Sequence, residues 1–396
     1  MRLPGYLGAE APQRVFAALP GARAVGGCVR DALAGLAVHD LDMAAPFPPD
    51  IIVERLGAAG FRVFETGLKH GTATAVLAGA IIEVTSLRRD VTTDGRHAEV
   101  EWTTDWQEDA GRRDFTINAM SMGADGVLHD PFGGVADLAA RRVRFVGDAD
   151  QRLREDYLRA LRFFRFQARY GGNMPDADAV RAIRVAVPGL ARLSAERVWS
   201  ELKRLIAAPD PRAALALMAE TGVLAAVLPE AGATARLTPD ITDVLLRLAI
   251  LLPVGSDLTA LAARLRLSGE EAARLRALHA IEDAPPPDEA DPAALRRFAA
   301  AARIRSEAAL PAEIIQVAAA NRPPADHAGL LARLPPGLGP GFPLQGRDAL
   351  ALALPPGPRI GALLGAVRDW WLAGGAGANH AACLEKLREL AEAGGS

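Results

Sequence analysis

The chain has 396 residues, of which 50% are hydrophobic and 23% are charged, and its formal net charge is −3. This composition allows sizeable cores in roughly two to four domains and differs from that of disordered chains. The slightly negative net charge excludes a polycation, so contact with nucleic acid would need a local basic patch. The two cysteines exclude a disulfide framework and a cysteine-rich zinc site.

The sequence carries no sign of a membrane segment. No apolar run approaches the roughly 18 residues that a membrane span needs. Residues 1–5, which read Met-Arg-Leu-Pro-Gly, lack the long apolar region of a secretory signal peptide. We therefore expect a cytoplasmic protein that is a monomer or a weak homodimer.

The hydrophobic pattern changes along the chain. Before about residue 140, short β-like runs alternate with turns, and residues 51–59 have helical periodicity. The predicted strands are residues 24–25, 41–44, 73–77, 81–85 and 116–122. From residue 151 onward the patterns are helical, and residues 283–288 form the clearest linker. The sequence thus predicts an α+β protein in which a mixed-sheet head is followed by a long all-α region.

A glycine pair opens the first helix-like segment of the head. Gly26 and Gly27 follow a short apolar run and precede Cys28. Glycines let the backbone approach a phosphate closely, and a helix N-terminus offers free N–H groups. Arg30 adds a guanidinium that can bind a phosphate oxygen. The segment therefore predicts a phosphate-binding turn, with Cys28 as a packed side chain rather than a nucleophile.

Two carboxylates stand at the start of the next predicted strand. Because side chains at i and i+2 of a strand point the same way, Asp40 and Asp42 would project from one face. Such hard oxygen ligands suit Mg²⁺, and a pair of metals can activate a hydroxyl and neutralise a leaving pyrophosphate. Glu83, on the predicted strand 81–85, is either a third ligand or a surface acid.

An arginine motif lies further along the head, where Arg112, Arg113 and Asp114 precede an apolar segment. One interpretation places Arg113 on a triphosphate and has Asp114 hold the arginine in place. The alternative is a charged loop before a strand. Residues 129–134, which read His-Asp-Pro-Phe-Gly-Gly, are interpreted as a turn that closes the domain.

Residues 155–162 read Glu-Asp-Tyr-Leu-Arg-Ala-Leu-Arg, and their spacing predicts one amphipathic helix that continues to residue 169. Its ionic face is either solvated or able to recognise a base. Cytosine and adenine share an amino group beside an acceptor ring nitrogen. Asp156 can accept from that amino group and Arg159 can donate to the nitrogen, whereas uracil and guanine would leave buried groups unpaired. Arg162 and Arg165 would then reach the triphosphate.

In this order, the motifs resemble those of the bacterial class II tRNA nucleotidyltransferase/poly(A) polymerase family, and most closely its CCA-adding members. The matching segments are Gly-Gly-x-x-Arg-Asp at 26–31, Asp-x-Asp at 40–42, Arg-Arg-Asp-Phe-Thr-Ile-Asn-Ala at 112–119 and Glu-Asp-x-x-Arg-x-x-Arg at 155–162. Residues 195–197, Ala-Glu-Arg, are similar to the last core motif. The resemblance covers roughly residues 20–205.

The resemblance implies a nucleotidyltransferase head with a five-stranded sheet at residues 1–140 and a helical neck at 141–208 that binds the nucleobase and RNA. A helical body at 209–282 and a tRNA-binding tail at 283–396 would follow. It implies Mg²⁺ on the Asp-x-Asp pair. The implied nucleotide contacts are Gly26, Gly27, Arg30, Arg113, Asp114, Asp156, Arg159, Arg162 and Arg165.

Two further segments have implied roles. Glu196 and Arg197 would support the base-reading helix. Residues 90–108, which include Asp-Gly-Arg-His at 94–97, look like the flexible loop that lets CCA-adding enzymes change from CTP to ATP. The presence of this loop argues against an enzyme that adds only the two cytidines.

The implied activity is addition of C, C and A to the 3′ end of tRNA from CTP and ATP. The alternatives within the family are a poly(A) polymerase and a partial, A-adding tRNA nucleotidyltransferase. A small-molecule nucleotidyltransferase would not need the long helical half. An inactive RNA-binding protein would be expected to have lost Asp40 or Asp42, and both are present.

Overall fold

A computed structural model describes residues 4–67, 71–93, 98–253, 255–279, 291–305, 311–321, 332–333 and 340–393. The chain forms two compact units, residues 1–229 and 230–396. The first unit contains a mixed sheet and many helices, and the second is helical over the residues described. The α+β class is therefore confirmed, whereas the finer division into head, neck, body and tail stays a prediction.

The first unit is built on β-strands that belong to two sheets. They are β1 (Arg23–Val25), β2 (Leu41–Ala45), β3 (Arg62–Gly67), β4 (Thr72–Leu77), β5 (Ala80–Ser86), β6 (Arg88–Thr93), β7 (Ala98–Trp102), β8 (Ser121–Gly123) and β9 (Leu128–His129). The main sheet has the order β3-β4-β5-β2-β1-β8-β9, and β6 pairs with β7 separately. Only β2 and β5 are parallel among these pairs of described strands. The main sheet has seven strands where five were expected, because β3 and β9 were not predicted.

Alternation along the two parallel strands separates a buried face from an open one. Met43 and Val84 point into the main core, which also contains apolar side chains of helices α1 (Glu10–Ala18) and α3 (Pro49–Ala58). Asp42 lies on the opposite face and is the register partner of Glu83. Parallel pairing thus places two acids side by side on the open face. The predictions of strands at 24–25, 41–44, 73–77 and 81–85 and of a helix at 51–59 are confirmed.

The prediction of a strand at 116–122 is wrong over most of its length. Thr116–Asn118 form a single 3₁₀ turn, and only Ser121–Gly123 pair as a strand. The Thr116 hydroxyl donates to buried Asp137 at 2.6 Å, and the Asn118 amide donates to Asp114 at 2.9 Å. These side-chain hydrogen bonds fix the turn, although the apolar pattern alone favours a strand.

The helix predicted from residue 155 is broken at its start. Helix α6 (Ala149–Glu155) ends where Asp156 adopts an extended conformation, and α7 (Leu158–Tyr170) begins two residues later. The break is stabilised because Asp156 Oδ1 accepts a hydrogen bond from the Leu158 backbone N–H at 3.0 Å. Asp156 therefore stands at the N-terminus of α7 and not one turn before Arg159 on a continuous helix.

The first unit contains further helices. They are α2 (Gly27–Leu33), α4 (Trp106–Gly111), α5 (Gly134–Ala139), α8 (Ala177–Ala186), α9 (Ala195–Ile206), α10 (Arg212–Glu220) and α11 (Val223–Val227). Phe115 contacts Phe145 and Phe166, with ring centroids 4.9 and 5.2 Å apart. This aromatic cluster packs the segment after Asp114 against α7.

The turn at residues 129–134 closes the sheet region as expected. Both oxygens of the Asp130 carboxylate accept hydrogen bonds, from the backbone N–H groups of Gly134 at 2.7 Å and Val135 at 2.9 Å. These donors belong to the first turn of α5, so Asp130 caps that helix. Asp137, also on α5, is fully buried and pairs with Arg142 and Arg144.

The second unit consists of helices joined by loops over its described residues. The helices are Val244–Leu251, Leu258–Leu265, Gly269–Leu278, Pro292–Arg305, Pro311–Asn321, Gly346–Ala351, Pro358–Ala373 and His380–Ala393. One core contains Val367, Trp371, Cys383 and Leu387. The predicted linker at 283–288 and the segment 94–97 lie outside the described residues.

Within the described part of the chain, no helix is both long enough and apolar enough to cross a lipid bilayer.

Candidate active site

A cleft of about 940 Å³ in the first unit brings most of the predicted site residues together. It contains Gly26, Gly27, Arg30, Asp40, Asp42, Arg113, Asp114, Asp156, Arg159, Arg162 and Arg165. Among the described residues of its wall, nine are arginines and four are aspartates. The chain as a whole is slightly negative, so this cleft is the local basic patch that nucleic-acid chemistry requires.

The glycine turn approaches one of the cleft arginines very closely. Gly26 has φ of 69°, and a Cβ at this position would lie 2.8 Å from Nη1 of Arg113. A side chain at this position would be strained by the positive φ and would displace the Arg113 guanidinium. Cys28, in the following helix, is 3% exposed, and burial raises its pKa to about 11. This environment agrees with its assignment as a packed side chain.

Asp40 and Asp42 both line the cleft. Neither carboxylate has a hydrogen bond or ion pair to a described residue. Burial raises the pKa of Asp42, the charges of Glu83 and Asp40 raise it further, and Arg113 opposes them. This concentration of uncompensated negative charge fits a divalent cation, which commonly takes one or two carboxylates and completes its shell with phosphate oxygens and water.

Glu83 lies beside the pair on the open face of the sheet, where it is the register partner of Asp42. The described residues contain no group of three or more His, Cys, Asp or Glu side chains arranged to hold one metal ion. Glu83 also lines a second cavity together with Asp40 and Asp42. The roles of the two aspartates and of Glu83 as metal ligands stay predictions.

Arg113 is held by Asp109 and not by Asp114. Arg113 Nη2 donates to Asp109 Oδ2 at 3.1 Å, and Arg112 donates to Asp109 Oδ1 through Nη2 at 2.8 Å. Burial alone would raise the pKa of Asp109, but Arg112 and Arg113 outweigh it and lower the pKa. The expectation that Asp114 holds its neighbour is wrong because helix α4 places Asp109 four residues before Arg113, on the same side.

Asp114 belongs to a buried chain of contacts that crosses the cleft. It accepts hydrogen bonds from Asn118 at 2.9 Å and from Nε of Arg162 at 2.7 Å. The amide oxygen of Asn118 accepts from Arg30, which is 7% exposed and also pairs with Asp31 at 2.9 Å. The helix that follows the glycine turn is therefore joined to α7 through side chains alone.

The series of side-chain contacts continues from α7 to α9 through a buried acid. Glu201 is 3% exposed and pairs with Arg165 at 3.3 Å and Arg162 at 3.7 Å. Burial lowers the pKa of Arg165 to about 10, although Glu201 opposes the shift, so Arg165 remains charged at neutral pH. At Arg162, burial alone would lower the pKa, but the charges of Asp114 and Glu201 outweigh burial, and the pKa is raised. Below we call Arg30, Asn118, Asp114, Arg162 and Glu201 the buried ionic chain.

Asp156 and Arg159 both line the cleft, but each is held by its own partner. Asp156 Oδ2 accepts from Nη2 of Arg197 at 2.6 Å. Arg159 donates to the Arg152 carbonyl at 3.0 Å and pairs with Glu155. The expected support from Arg197 is thus present as a direct ion pair. Arg197 fixes one oxygen of Asp156, and the backbone N–H of Leu158 fixes the other.

Three residues of the site were absent from the sequence prediction: Asp109, Asn118 and Glu201. Two of them left a signal. Glu201 stands between Val198 and Leu205 on the apolar stripe of α9, where an acid is out of place unless it is paired. Asp109 precedes two arginines at helical i, i+3 and i, i+4 spacing. Asn118 belongs to the motif at 112–119, but its contacts depend on the 3₁₀ turn, which the apolar pattern does not predict.

Comparison with known proteins places this site in a family. The Poly A polymerase head domain matches residues 22–144, and the probable RNA and SrmB-binding site of polymerase A matches residues 175–234. These two stretches contain the glycine turn, both carboxylates, the arginine motif and Arg197.

Curated relatives extend the similarity. The CCA tRNA nucleotidyltransferase 1, mitochondrial, of Mus musculus is 38% identical over 365 residues, which cover 88% of this chain and 82% of that protein. The CCA-adding enzyme of Geobacillus thermodenitrificans is 41% identical over 201 residues, which cover 50% of this chain and 48% of that protein.

The fold agrees with a solved structure along almost the whole chain. The Bacillus stearothermophilus CCA-adding enzyme in complex with CTP has a TM-score of 0.74 at 26% identity, and the match covers 97% of this chain and 98% of that one. Together with the extent of the mouse match, this similarity shows that the chain belongs to the tRNA nucleotidyltransferase/poly(A) polymerase family.

Proposed function

We propose that the protein adds C, C and A in turn to the 3′ end of tRNA, with CTP and ATP as substrates. The observation that carries this function is a single cleft that unites an unpaired carboxylate pair with nine arginines. The relatives that match over most of the chain or half of it are CCA-adding enzymes of mitochondria and bacteria. They favour this activity over polyadenylation. The cytoplasmic location and the monomeric or weakly dimeric state stay predictions.

The arginines of the cleft would bind the triphosphate. Arg113, Arg162 and Arg165 are each anchored by a buried acid, so their guanidinium groups are held in place before the nucleotide arrives. Preorganised charges are effective because they need little rearrangement as charge develops on the phosphates. Arg30 is already bonded to Asp31 and Asn118, so we assign it to orienting the glycine turn as well as to the nucleotide.

Asp40 and Asp42 would hold Mg²⁺, which lowers the pKa of the attacking hydroxyl and neutralises the departing charge. The reaction forms a bond between the tRNA 3′ oxygen and the α-phosphorus and breaks the bond to the oxygen that bridges to the β-phosphorus. Pyrophosphate leaves, and the hydroxyl proton passes to water, which reaches the exposed Asp40. The protein contributes alignment and electrostatic stabilisation, as is typical of phosphoryl chemistry.

Base selection is assigned to Asp156 and Arg159. Arg197 orients Asp156, whose carboxylate oxygens are hydrogen-bond acceptors. An acceptor at this position suits the amino groups of cytosine and adenine. Arg159 would turn from Glu155 to the ring nitrogen when a base enters the cleft.

The activity is tested with pure protein, Mg²⁺ and tRNA lacking its 3′ CCA, incubated with each nucleotide separately and together. We expect two additions with CTP alone and a third with ATP. Asp42→Asn should lower the rate by at least about 100-fold, because the variant loses a metal ligand. The fold should persist, because the substitution also relieves the repulsion between Asp42 and the neighbouring acids. The control Asp50→Asn changes an exposed acid of α3 and should be silent. Long poly(A) tails made from ATP on any RNA would overturn the assignment.

Asp109→Asn tests the anchoring of Arg113. We expect kcat to fall by about 100-fold, because a small misplacement of a catalytic charge has effects of this size. The KM for CTP should change by less than about 10-fold, since no positive charge is removed from the cleft. Glu54→Gln is the control, because this exposed acid of α3 lies outside the cleft. An unchanged kcat in Asp109→Asn would contradict the anchoring role.

Asp156→Asn tests base selection, because the amide can present a donor where the carboxylate only accepts. We expect the preference for CTP over UTP, measured as the ratio of kcat/KM values, to fall by roughly 10- to 100-fold. Asp150→Asn is the control, since that acid pairs with Arg181 on the surface. If Asp156→Asn kept the wild-type preference, base selection would have to reside elsewhere.

A further inference from the structure

Three of the arginines that line the cleft gather around one aromatic ring. The guanidinium carbons of Arg165, Arg30 and Arg162 lie 4.6, 5.1 and 5.5 Å from the ring centroid of Phe166. Phe166 itself lines the cleft and is 6% exposed. A guanidinium this close to an aromatic face is attracted by the negative potential of the ring. One neutral side chain therefore contacts three positive charges that come from two different helices, α2 and α7.

The three charges repel each other, and the effect of this repulsion is present at Arg165. Burial is the main cause of the lowered pKa of Arg165, Glu201 opposes the shift, and the charge of Arg162 adds to it. Repulsion of this kind tends to drive the guanidinium groups apart and away from the positions that a triphosphate needs. The cleft therefore requires an attraction that keeps the arginines together before the nucleotide binds.

An aromatic face holds a guanidinium in a different way from a carboxylate. The five N–H donors of a guanidinium lie in its plane, and a carboxylate occupies some of them. A ring that contacts the face of the guanidinium occupies none. Contact with Phe166 thus attracts the three arginines while the donors that the carboxylates do not use stay available for phosphate oxygens.

The Phe166 ring is itself fixed by its neighbours. It packs against Phe115 edge to face with the ring centroids 5.2 Å apart, and it contacts Tyr170, one turn later on α7, at 5.8 Å. The Tyr170 hydroxyl donates to Asp31 Oδ1 at 2.6 Å, and Arg30 lies 4.3 Å from the Tyr170 ring centroid. Because a close-packed ring cannot shift without disturbing these contacts, Phe166 is a rigid surface for the arginines.

We propose that Phe166 is a positioning residue that orients the three arginines for the triphosphate through the electrostatic attraction of its ring. This inference rests on the proposed function. Phe166 acts through the charges that bind the phosphates and not through the nucleobase. Asp156 and Arg159 are held by separate partners, so base selection does not depend on the ring. Weakening the ring's attraction should therefore lower the affinity for every nucleotide by the same factor.

Fluorinated phenylalanines at residue 166 separate the charge distribution of the ring from its size. Each added fluorine weakens the negative potential of the ring face and changes the ring volume little. We expect the affinity of the full chain for CTP, measured by calorimetry with Mg²⁺ and without tRNA, to fall stepwise from one to three fluorines, by about 10-fold in total. A ring that only fills space would give no such trend.

Phe145 is the matched control, because it belongs to the same aromatic cluster and is 1% exposed. Among the residues that the structure describes, no guanidinium lies over its ring, so the same fluorinated residues at position 145 should leave the affinity for CTP unchanged. A flat series at residue 166, or an equal trend at both residues, in a protein that adds cytidine to tRNA would overturn the positioning role alone. If the wild-type protein neither binds CTP nor adds cytidine, the proposed function fails, and this inference fails with it.

Phe166→Leu tests the same role with natural amino acids, because leucine keeps the position apolar and removes the ring. We expect the KM for CTP and the KM for UTP to rise by the same factor of about 10, so that the ratio of their kcat/KM values stays within about 2-fold of wild type. Asp156→Asn is the contrasting variant, since it should change this ratio. An unchanged KM for CTP in Phe166→Leu, or a loss of base preference as large as in Asp156→Asn, would contradict the proposal.

Discussion

The structure of the active site depends on the buried ionic chain from Arg30 through Asn118 and Asp114 to Arg162 and Glu201. Asp114 is 7% exposed and Glu201 is 3% exposed, so neither charge can be left without its arginine. Removing one partner from a buried pair typically costs about 3–5 kcal/mol. The same contacts that stabilise the fold therefore determine where the arginines of α7 stand relative to the glycine turn.

Charges of both signs meet in the cleft. Nine arginines stand in its described wall, and Asp40 and Asp42 line the same cavity. Burial and the neighbouring acids raise the pKa of Asp42, so the fold carries unfavourable repulsion there. Such repulsion at a site is expected where a bound cation supplies the missing positive charge.

Much of this site could be predicted from sequence, because motif order and strand alternation are local properties. The carboxylate pair, the glycine turn and the acid and arginine of residues 156 and 159 all line the cleft as expected. The sequence failed where side-chain hydrogen bonds override periodicity, as at Asp156, where the helix breaks, and at Thr116, where a turn replaces a strand. The fold also determines which of two acids close in sequence pairs with an arginine, and for this reason Asp109 rather than Asp114 binds Arg113.

The buried ionic chain is expected to act as one unit in positioning the nucleotide. A double-mutant cycle on CTP affinity tests it, with Asn118→Ala, Glu201→Gln and the double variant measured by calorimetry. These residues do not contact each other, so independent effects would add within about 0.5 kcal/mol. We predict a coupling free energy of about 1 kcal/mol or more between the two substitutions. Asn118 holds Asp114 and Glu201 holds Arg162, and this acid and this arginine pair with each other. Additive effects of the two substitutions on CTP affinity would show that the contacts act independently and would contradict this prediction.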